Sequence, residues 1–155
     1  GQEKGRRSGT LNVPGIIGLA AACRLAASDL DAERARLVAL RARLHEGIVE
    51  GIPGAYLNGH PDRRLPHNLH FSFEDVEGEA LILAMRRVAL SSGSACSSAR
   101  EGPSYVLKAI GVPDALGHAS VRFGLGRSND AAQVDEVLVA LAESITRLRA
   151  ISAPG

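Results

Sequence analysis

Apolar residues recur at helical spacing in the first third of the chain, which predicts one buried helical face made of Leu30, Leu37, Leu40, Leu44 and Ile48. Asn12 is placed to cap this helix, after an N-terminal loop at residues 1–11. The helix is expected to end at residues 51–54, because Pro53 lacks an N–H donor and glycine tolerates left-handed backbone angles.

A second long amphipathic helix is predicted at the C-terminal end. It opens near residues 128–130, and its expected buried face consists of Val134, Val137, Leu138, Leu141, Ile145 and Leu148. Two shorter helices are predicted between the long ones. Acidic residues precede the apolar run at 80–85, where they favour a helix N-terminus, and Pro103 opens a short helix that Gly111 stops.

Alternation of apolar and polar residues predicts strands between these helices. Leu69, Phe71 and Phe73 form one apolar face, and Val121 and Phe123 form another, with Arg122 pointing away from its two apolar neighbours. Residues 88–90 fit a short strand. The resulting order of helix, strand, helix, strand, helix, strand, helix predicts an α+β fold, a small mixed or antiparallel sheet covered by helices.

Composition narrows the class of protein. The chain has 155 residues, a formal net charge of +1 and 45% hydrophobic residues, which suits one globular domain over 1–155 and gives no field to attract nucleic acid or an anionic membrane. No apolar run approaches the length of a transmembrane helix and no secretory signal is present, so no membrane contact is expected. Two cysteines make a weak case for a disulfide, and a reducing cytoplasmic location is expected.

The most informative chemistry lies at Cys96. This thiol is surrounded by serine, glycine and alanine over residues 91–99, a composition typical of an exposed loop, and a mobile loop is predicted at 91–102. An exposed thiol on a mobile segment suits a nucleophile that carries sulfur between two places. The alternative is an inert thiol in an ordinary Ser/Gly loop. Cys23, by contrast, follows alanines on the first helix and is predicted to be a small core residue.

Two further residues are candidate anion binders. The rigid guanidinium fork of Arg122 suits a carboxylate, although an ordinary surface arginine is the alternative. Thr10, with Ser8 and Gly9, offers a hydroxyl and backbone donors that suit a phosphate, although the motif by itself is weak. His67 and His70 invite a metal site, but their spacing places them on opposite faces of a strand, so no metal site is predicted.

Four motifs in one order give the chain a family resemblance: Gly5-Arg-Arg-Ser-Gly-Thr-Leu, Ser91-Ser-Gly-Ser-Ala-Cys96, Pro103-Ser-Tyr-Val-Leu and Ser120-Val-Arg-Phe-Gly-Leu-Gly126. They resemble the C-terminal part of cysteine desulfurases of the NifS/IscS type, in the long-loop branch. The resemblance implies the small domain of a fold-type I, pyridoxal-phosphate-dependent homodimer that removes sulfur from L-cysteine and leaves alanine.

The resemblance also implies a role for each candidate residue. Cys96 is expected to take the sulfur as a persulfide, Arg122 to bind the substrate carboxylate, and Thr10 to reach the cofactor phosphate of the partner subunit. The Schiff-base lysine of the family lies in a Ser-Gly-His-Lys segment, and neither Lys4 nor Lys108 occupies one. We therefore expect the chain to be about the last two-fifths of the enzyme, to lack the N-terminal cofactor-binding domain, and to be inactive alone.

The expected sulfur acceptor is an iron–sulfur scaffold or a sulfur-relay protein for tRNA thiolation, with no direct nucleic-acid contact. The chain is expected to hold no metal of its own, while Cys96 is a candidate transient iron–sulfur ligand shared with a scaffold. Alternatives are a stand-alone sulfur-carrier module without pyridoxal phosphate, one half of a split enzyme, and a relative that acts on selenocysteine. That the chain starts at Gly1 and has Met85 as its methionine adds to the expectation of a longer polypeptide.

Overall fold

The computed structural model describes residues 2–92 and 104–152. They form one short 3-10 helix (Glu3–Gly5), five α-helices and three strands. Two compact units are distinguished along the chain, Gly1–Arg34 and Ala35–Gly155. In chain order the elements are α1 (Val13–Gly51), β1 (Ala55–Leu57), β2 (Asn68–Phe73), α2 (Gly78–Ala84), α3 (Tyr105–Ala109), α4 (Asp114–His118), β3 (Ser120–Gly124) and α5 (Ala131–Ser152).

The first unit has the predicted cap but not the predicted burial. Asn12 Oδ1 accepts a hydrogen bond of 3.1 Å from the backbone N–H of Gly15, which satisfies one free donor at the start of α1. None of residues 2–34 is buried. The prediction that Leu30 belongs to the buried face is therefore wrong, since its exposed fraction is 62%. Cys23 is also exposed and is not a core residue.

The second unit contains the predicted sheet. Three strands pair in the order β1-β2-β3, and both pairs are antiparallel. The register sets Leu57 opposite Phe71 and Phe71 opposite Val121, so the apolar positions of neighbouring strands share one face. The α+β class with a small antiparallel sheet and a long preceding helix is thus confirmed.

The core lies against that face of the sheet. Phe71 and Phe73 are completely buried, and their ring centroids are 6.1 Å apart. The C-terminal half of α1 and the middle of α5 supply most of the remaining buried residues, as the helical spacing predicted: Leu40, Leu44, Ile48, Val134, Leu141 and Ile145. Leu81 of α2 completes the cluster. Burial of this apolar surface stabilises the second unit.

The structure differs from the sequence analysis in three local features. Residues 88–90 form no strand; instead Ser91 makes an isolated antiparallel bridge to Arg122. β1 was not predicted because three residues are too short to show alternation, and pairing with β2 stabilises it. α4 was not predicted either. It packs against β2, and its His118 carbonyl lies so close to Gly78 that a Cβ at Gly78 would meet it at 2.7 Å.

α1 has a second property that the sequence analysis did not predict. It contains an 18-residue window of mean hydropathy 1.4, of which none is buried, so by length and composition it is apolar enough to cross a membrane. Core helices of soluble proteins and signal sequences meet the same criterion, and a single such helix is weak evidence for a membrane span.

Candidate functional site

Arg122 is held on both sides by backbone pairing. Val121 and Phe123 are buried in the core, whereas Arg122 is exposed, as the alternation along β3 predicted. On one side, β2 places His70 directly opposite Arg122. On the other side, the Arg122 N–H donates to the Ser91 carbonyl at 2.7 Å, and the return bond from Ser91 N–H measures 3.5 Å. The guanidinium therefore projects from a backbone that is fixed at both edges.

Cys96 lies outside the described residues, and so does most of the loop predicted at 91–102. The structure does place the residues on either side of it. Ser91 and Ser92 precede the undescribed stretch, and Ser104 follows it. Because Ser91 is bridged to Arg122, the chain leaves for Cys96 directly beside the candidate carboxylate-binding arginine.

His70 occupies the same sheet surface as Arg122 and makes polar contacts that the sequence analysis missed. Asn58, which is buried, uses its Nδ2 group to contact His70 Nδ1 at 3.0 Å and Ser72 Oγ at 2.8 Å. The backbone of Ser92 is also hydrogen-bonded to the imidazole. His70 thus connects the loop after β1 to the residue from which the Cys96 segment departs.

A cavity of about 250 Å³ opens beside this network. Its polar wall consists of Asn58, Asn68, His70, Ser92 and Ser104, and its apolar wall of Val106, Leu107 and Ile110 from α3 and its end. Asn68 Oδ1 is buried and has no hydrogen-bond partner within the described part of the chain. A larger groove of about 910 Å³ runs along α5 and residues 87–90, but neither Thr10 nor Arg122 lines it.

The electrostatics of the site are cationic. Burial lowers the pKa of His70 below its usual value, the hydrogen bond to the Ser92 backbone opposes that shift, and the charges of Arg122 and Arg64 lower it further. Arg64 is fixed nearby, since its Nη2 donates to the Asn58 carbonyl at 2.9 Å. When His70 is neutral, the positive charge near it is that of Arg122 and Arg64, which suits an anionic ligand.

Thr10 lies in the first unit and is exposed. Gly9 before it has φ +92°, a left-handed conformation that glycine adopts without strain. The Arg7 guanidinium donates to the Gly9 carbonyl at 2.7 Å and pairs with Glu3 at 3.5 Å. The turn therefore presents the Thr10 hydroxyl to solvent, as a phosphate-binding role requires, while Arg7 is engaged with its own loop.

Across residues 2–92 and 104–152, no group of three or more histidine, cysteine, aspartate or glutamate side chains is placed to hold a metal ion. His67 is exposed and His70 is engaged with Asn58, so the two histidines singled out in the sequence do not converge.

The chain is similar in sequence to proteins of a known family. The family model described as Aminotransferase class-V matches residues 1–137. The chain is 49% identical over 98% of its length to a protein named cysteine desulfurase IscS from Anaeromyxobacter dehalogenans, of which it covers 38%. It is 43% identical over 98% of its length to a cysteine desulfurase from Pongo abelii, of which it covers 33%. The chain therefore spans between a third and two-fifths of the length of these relatives.

Solved structures give the same picture of the fold. A structure named as a NifS-like protein superposes with a TM-score of 0.80 at 30% identity, over 95% of this chain and 37% of that chain. A NifS-like protein from Rickettsia africae superposes with a TM-score of 0.81 over 94% of this chain and 38% of that chain, and its identity of 24% supports the likeness of fold alone.

Proposed function

The chain belongs to the aminotransferase class-V family, and from that premise we propose that it is the C-terminal part of a pyridoxal-phosphate-dependent cysteine desulfurase. Two facts support the proposal. Its similarity to proteins of that name extends over 98% of the chain, and the match covers only 38% of the relative from Anaeromyxobacter dehalogenans. In this proposal residues 1–155 are a single C-terminal domain, and the cofactor-binding domain lies in the remaining length.

One observation carries the assignment of the site: the backbone bridge between Arg122 and Ser91. It sets Arg122 next to the point from which the chain departs for Cys96. A reaction at an amino acid needs both an anchor for the carboxylate and a nucleophile that reaches the side chain. Arg122 is proposed as the anchor and Cys96 as the nucleophile.

The residues present fit one end of pyridoxal phosphate. Thr10 has an exposed hydroxyl beside the left-handed Gly9, and we assign it to the phosphate of the cofactor held by the partner subunit of a homodimer. The Schiff-base lysine is expected in the cofactor-binding domain, since neither Lys4 nor Lys108 lies in a Ser-Gly-His-Lys segment. When bound, the cofactor withdraws electrons from the substrate amino acid.

The role of this chain in the reaction is nucleophilic. The Cys96 thiolate forms a sulfur–sulfur bond to the sulfur of L-cysteine while the carbon–sulfur bond of the substrate breaks. The carbon keeps the electron pair, takes up a proton and leaves as alanine. Arg122 holds the substrate carboxylate throughout, because its paired N–H groups match the two carboxylate oxygens.

The persulfide on Cys96 is proposed to pass to an iron–sulfur scaffold or a sulfur-relay protein in the cytoplasm. The test combines the purified chain with pyridoxal phosphate, L-cysteine and a separately produced cofactor-binding part of the Anaeromyxobacter dehalogenans relative. We expect a persulfide on Cys96 and alanine only in the complete mixture. Cys96→Ser should abolish the persulfide and keep the cofactor absorbance, and Cys23→Ser is the matched control.

Three outcomes would contradict the proposal or favour an alternative to it. Sulfide released from cysteine by the 155-residue chain alone would contradict its status as part of an enzyme. Sulfur that loads onto Cys96 from a persulfide donor, with no alanine in any mixture, would favour a stand-alone sulfur carrier. Arg122→Lys with an unchanged KM for cysteine in the active mixture would contradict the carboxylate role, because an ammonium does not reproduce the paired contact.

A further inference from the structure

Three arginines come together at the loop after β1, which consists of residues 58–67. Arg63 and Arg64 are adjacent in that loop. Arg41 reaches it from α1, where its Nη1 donates to the Leu65 carbonyl at 3.2 Å. The loop leads directly into β2, so these side chains lie at the end of the sheet where that strand begins. We call the surface formed by Arg41, Arg63, Arg64 and Leu65 the arginine patch.

The loop orients Arg64 without neutralising it. Its Nε donates to the His60 carbonyl at 2.8 Å, and its Nη2 donates to the Asn58 carbonyl at 2.9 Å. The loop itself is braced by His60 Nδ1, which accepts from the backbone N–H groups of Asp62 and Arg63 at 3.0 Å each. Carbonyl oxygens fix the direction of a guanidinium but carry no negative charge, so the cation is left to be balanced by an anion from outside.

Arg43 on the same helix as Arg41 shows the contrast. Arg43 is balanced by Asp135, to which it donates through Nε at 2.6 Å and through Nη2 at 2.8 Å. The three arginines of the patch form no ion pair with any carboxylate in residues 2–92 and 104–152. Asp62 is the one acidic residue of the loop, so positive charge is in excess there.

The arginines of the patch also act on one another. Burial and the charge of Arg41 lower the pKa of Arg64 below its usual value. Both side chains stay protonated at neutral pH, so the charge of Arg41 acts as repulsion and not as loss of a proton. A carboxylate bound between the two guanidinium groups would relieve that repulsion.

Exposed apolar side chains accompany the charges. Leu65 is 60% exposed, and Val38, three residues before Arg41 on α1, is 38% exposed. Arginine is enriched at protein interfaces, where charged groups surround apolar contacts. A nucleic acid fits the patch less well, because the formal net charge of the chain is +1 and the phosphate backbone is bound by an extended row of cations.

We propose that the arginine patch is a docking surface for a protein segment that presents carboxylates beside an apolar side chain. The carboxylates pair with the guanidinium groups, and the apolar side chain packs on Leu65. Because Arg64 and Arg41 are already held by backbone carbonyls, they lose little conformational freedom when they bind. The inference goes beyond the proposed function and uses neither Cys96 nor Arg122.

The experiment measures binding of defined probes to the purified 155-residue chain. The probe is a short fluorescent peptide in which glutamate alternates with leucine. Its matched control carries glutamine in place of glutamate, and an oligothymidylate of equal charge represents nucleic acid. Fluorescence anisotropy gives the affinity for each probe at low and at physiological salt, and NMR of the arginine Nε–H groups locates the contact.

The variants separate the charged part of the patch from its apolar part. Arg63→Gln and Arg41→Gln each remove one charge, and Leu65→Ala removes the apolar side chain. The matched controls are Arg147→Gln on α5 and Leu83→Ala on α2, both at exposed positions. Arg63 is the cleanest site, because its side chain is exposed and makes no hydrogen bond within the described residues. Circular dichroism checks that each variant is folded.

We expect the glutamate peptide to bind and the glutamine peptide not to bind, with an affinity that falls as salt screens the charges. Arg63→Gln and Arg41→Gln should each weaken binding about fivefold. Leu65→Ala should weaken binding of the peptide but not of the oligothymidylate. Both controls should bind as the unaltered chain does, and the Arg64 Nε–H signal should shift as the peptide is added.

Four results would overturn the proposal. The first is equal affinity for the glutamate and glutamine peptides, and the second is an Arg63→Gln loss no larger than that of Arg147→Gln. Tighter binding of oligothymidylate than of the peptide would assign the patch to nucleic acid. Loss of peptide binding on addition of the cofactor-binding part of the Anaeromyxobacter dehalogenans relative would show that the patch is an internal surface of the enzyme. A failure of the desulfurase assignment would appear separately, as an absence of persulfide and alanine with peptide binding intact.

Discussion

Residues 2–34 and the part of the chain described after them are both rich in apolar residues, yet only the second part buries them. In the first part the large apolar side chains are all more than half exposed: Leu11, Val13, Ile16, Ile17, Leu19, Leu25 and Leu30. In the second part, side chains of the same type on the same helix are closed off by β2 and α5. Helical spacing identifies a face, but burial depends on what covers that face.

The exposure of the apolar side chains in residues 2–34 bears on function. An exposed apolar surface of this size is typical of an interface. Under the proposed function, the cover for residues 2–34 comes from the remainder of the enzyme, because relatives of this chain are more than twice as long.

The sharpest test of the comparison uses one substitution at two points of α1. Leu44 is 2% exposed and Leu30 is 62% exposed. We expect Leu44→Ala to lower the free energy of unfolding by about 2–5 kcal/mol, since it leaves a cavity in the core. Leu30→Ala should change it by less than about 0.5 kcal/mol. Urea titration followed by circular dichroism measures both, and equal losses would mean that residues 2–34 are covered in solution.

Substitution of one glycine in each region tests the same contrast, because the two substitutions are expected to change stability in opposite directions. A Cβ on Gly78 would lie 2.7 Å from the His118 carbonyl and 2.9 Å from that of Ser120, so Gly78→Ala should destabilise the second unit by about 1–3 kcal/mol. Gly18 in α1 has no atom within 4 Å of such a Cβ. Gly18→Ala should instead favour the local helix by about 0.5–1 kcal/mol.

The readouts for the two glycines differ accordingly. Gly78→Ala is expected to lower the urea midpoint, while Gly18→Ala raises the helical signal in circular dichroism without moving that midpoint. If Gly78→Ala leaves the urea midpoint unchanged, the contact between α4 and the start of α2 can accommodate a methyl group. A Gly18→Ala variant that raises the midpoint would show that the two regions unfold as one.

The sequence predicted those parts of the fold whose pattern is local. Leu37, Leu40, Leu44 and Ile48 are buried as their spacing indicated, and alternation placed Arg122 on the outer side of β3. Leu30 follows the same spacing and is exposed, because no described part of the chain buries it. β1 and α4 carry too few residues to show a period, and they depend on neighbours that are distant in sequence.

The candidate site also has a part that the sequence predicted and a part that it did not. The chemistry of Arg122 and Thr10 is visible in their residue types and motifs, whereas the position of His70 is not. Its importance comes from the register that sets it opposite Arg122 and from the buried amide of Asn58. The sole signal in the sequence was the polar face of β2, formed by Asn68, His70 and Ser72, and such a face indicates exposure as readily as a buried network.

Helix capping gives a smaller test of the two regions. Asp130 and Gln133 form a capping box at the start of α5, with Asp130 Oδ1 accepting from the Gln133 N–H at 2.9 Å. Asn12 caps α1 by the same kind of bond. Asp130→Ala should cost about 1 kcal/mol of unfolding free energy. Asn12→Ala should leave that energy unchanged and instead speed amide hydrogen exchange in the first turn of α1, because that region opens locally.

The smallest expected effect concerns the ion pair between the two helices that flank the core. Arg43 Nε is 2.6 Å from Asp135 Oδ1, and the hydrogen bond from Arg43 lowers the pKa of the Asp135 carboxyl below its usual value. Its stabilisation is therefore complete above the pKa of the unfolded chain and is lost as the pH falls through the lower folded value. Asp135→Asn should make unfolding slightly less sensitive to acid below about pH 4. Urea midpoints measured across that range provide the check, and Asp31→Asn in the first region is the control that removes the same charge. An identical acid response in the two variants would mean that the ion pair does not contribute to stability, which is common for exposed pairs.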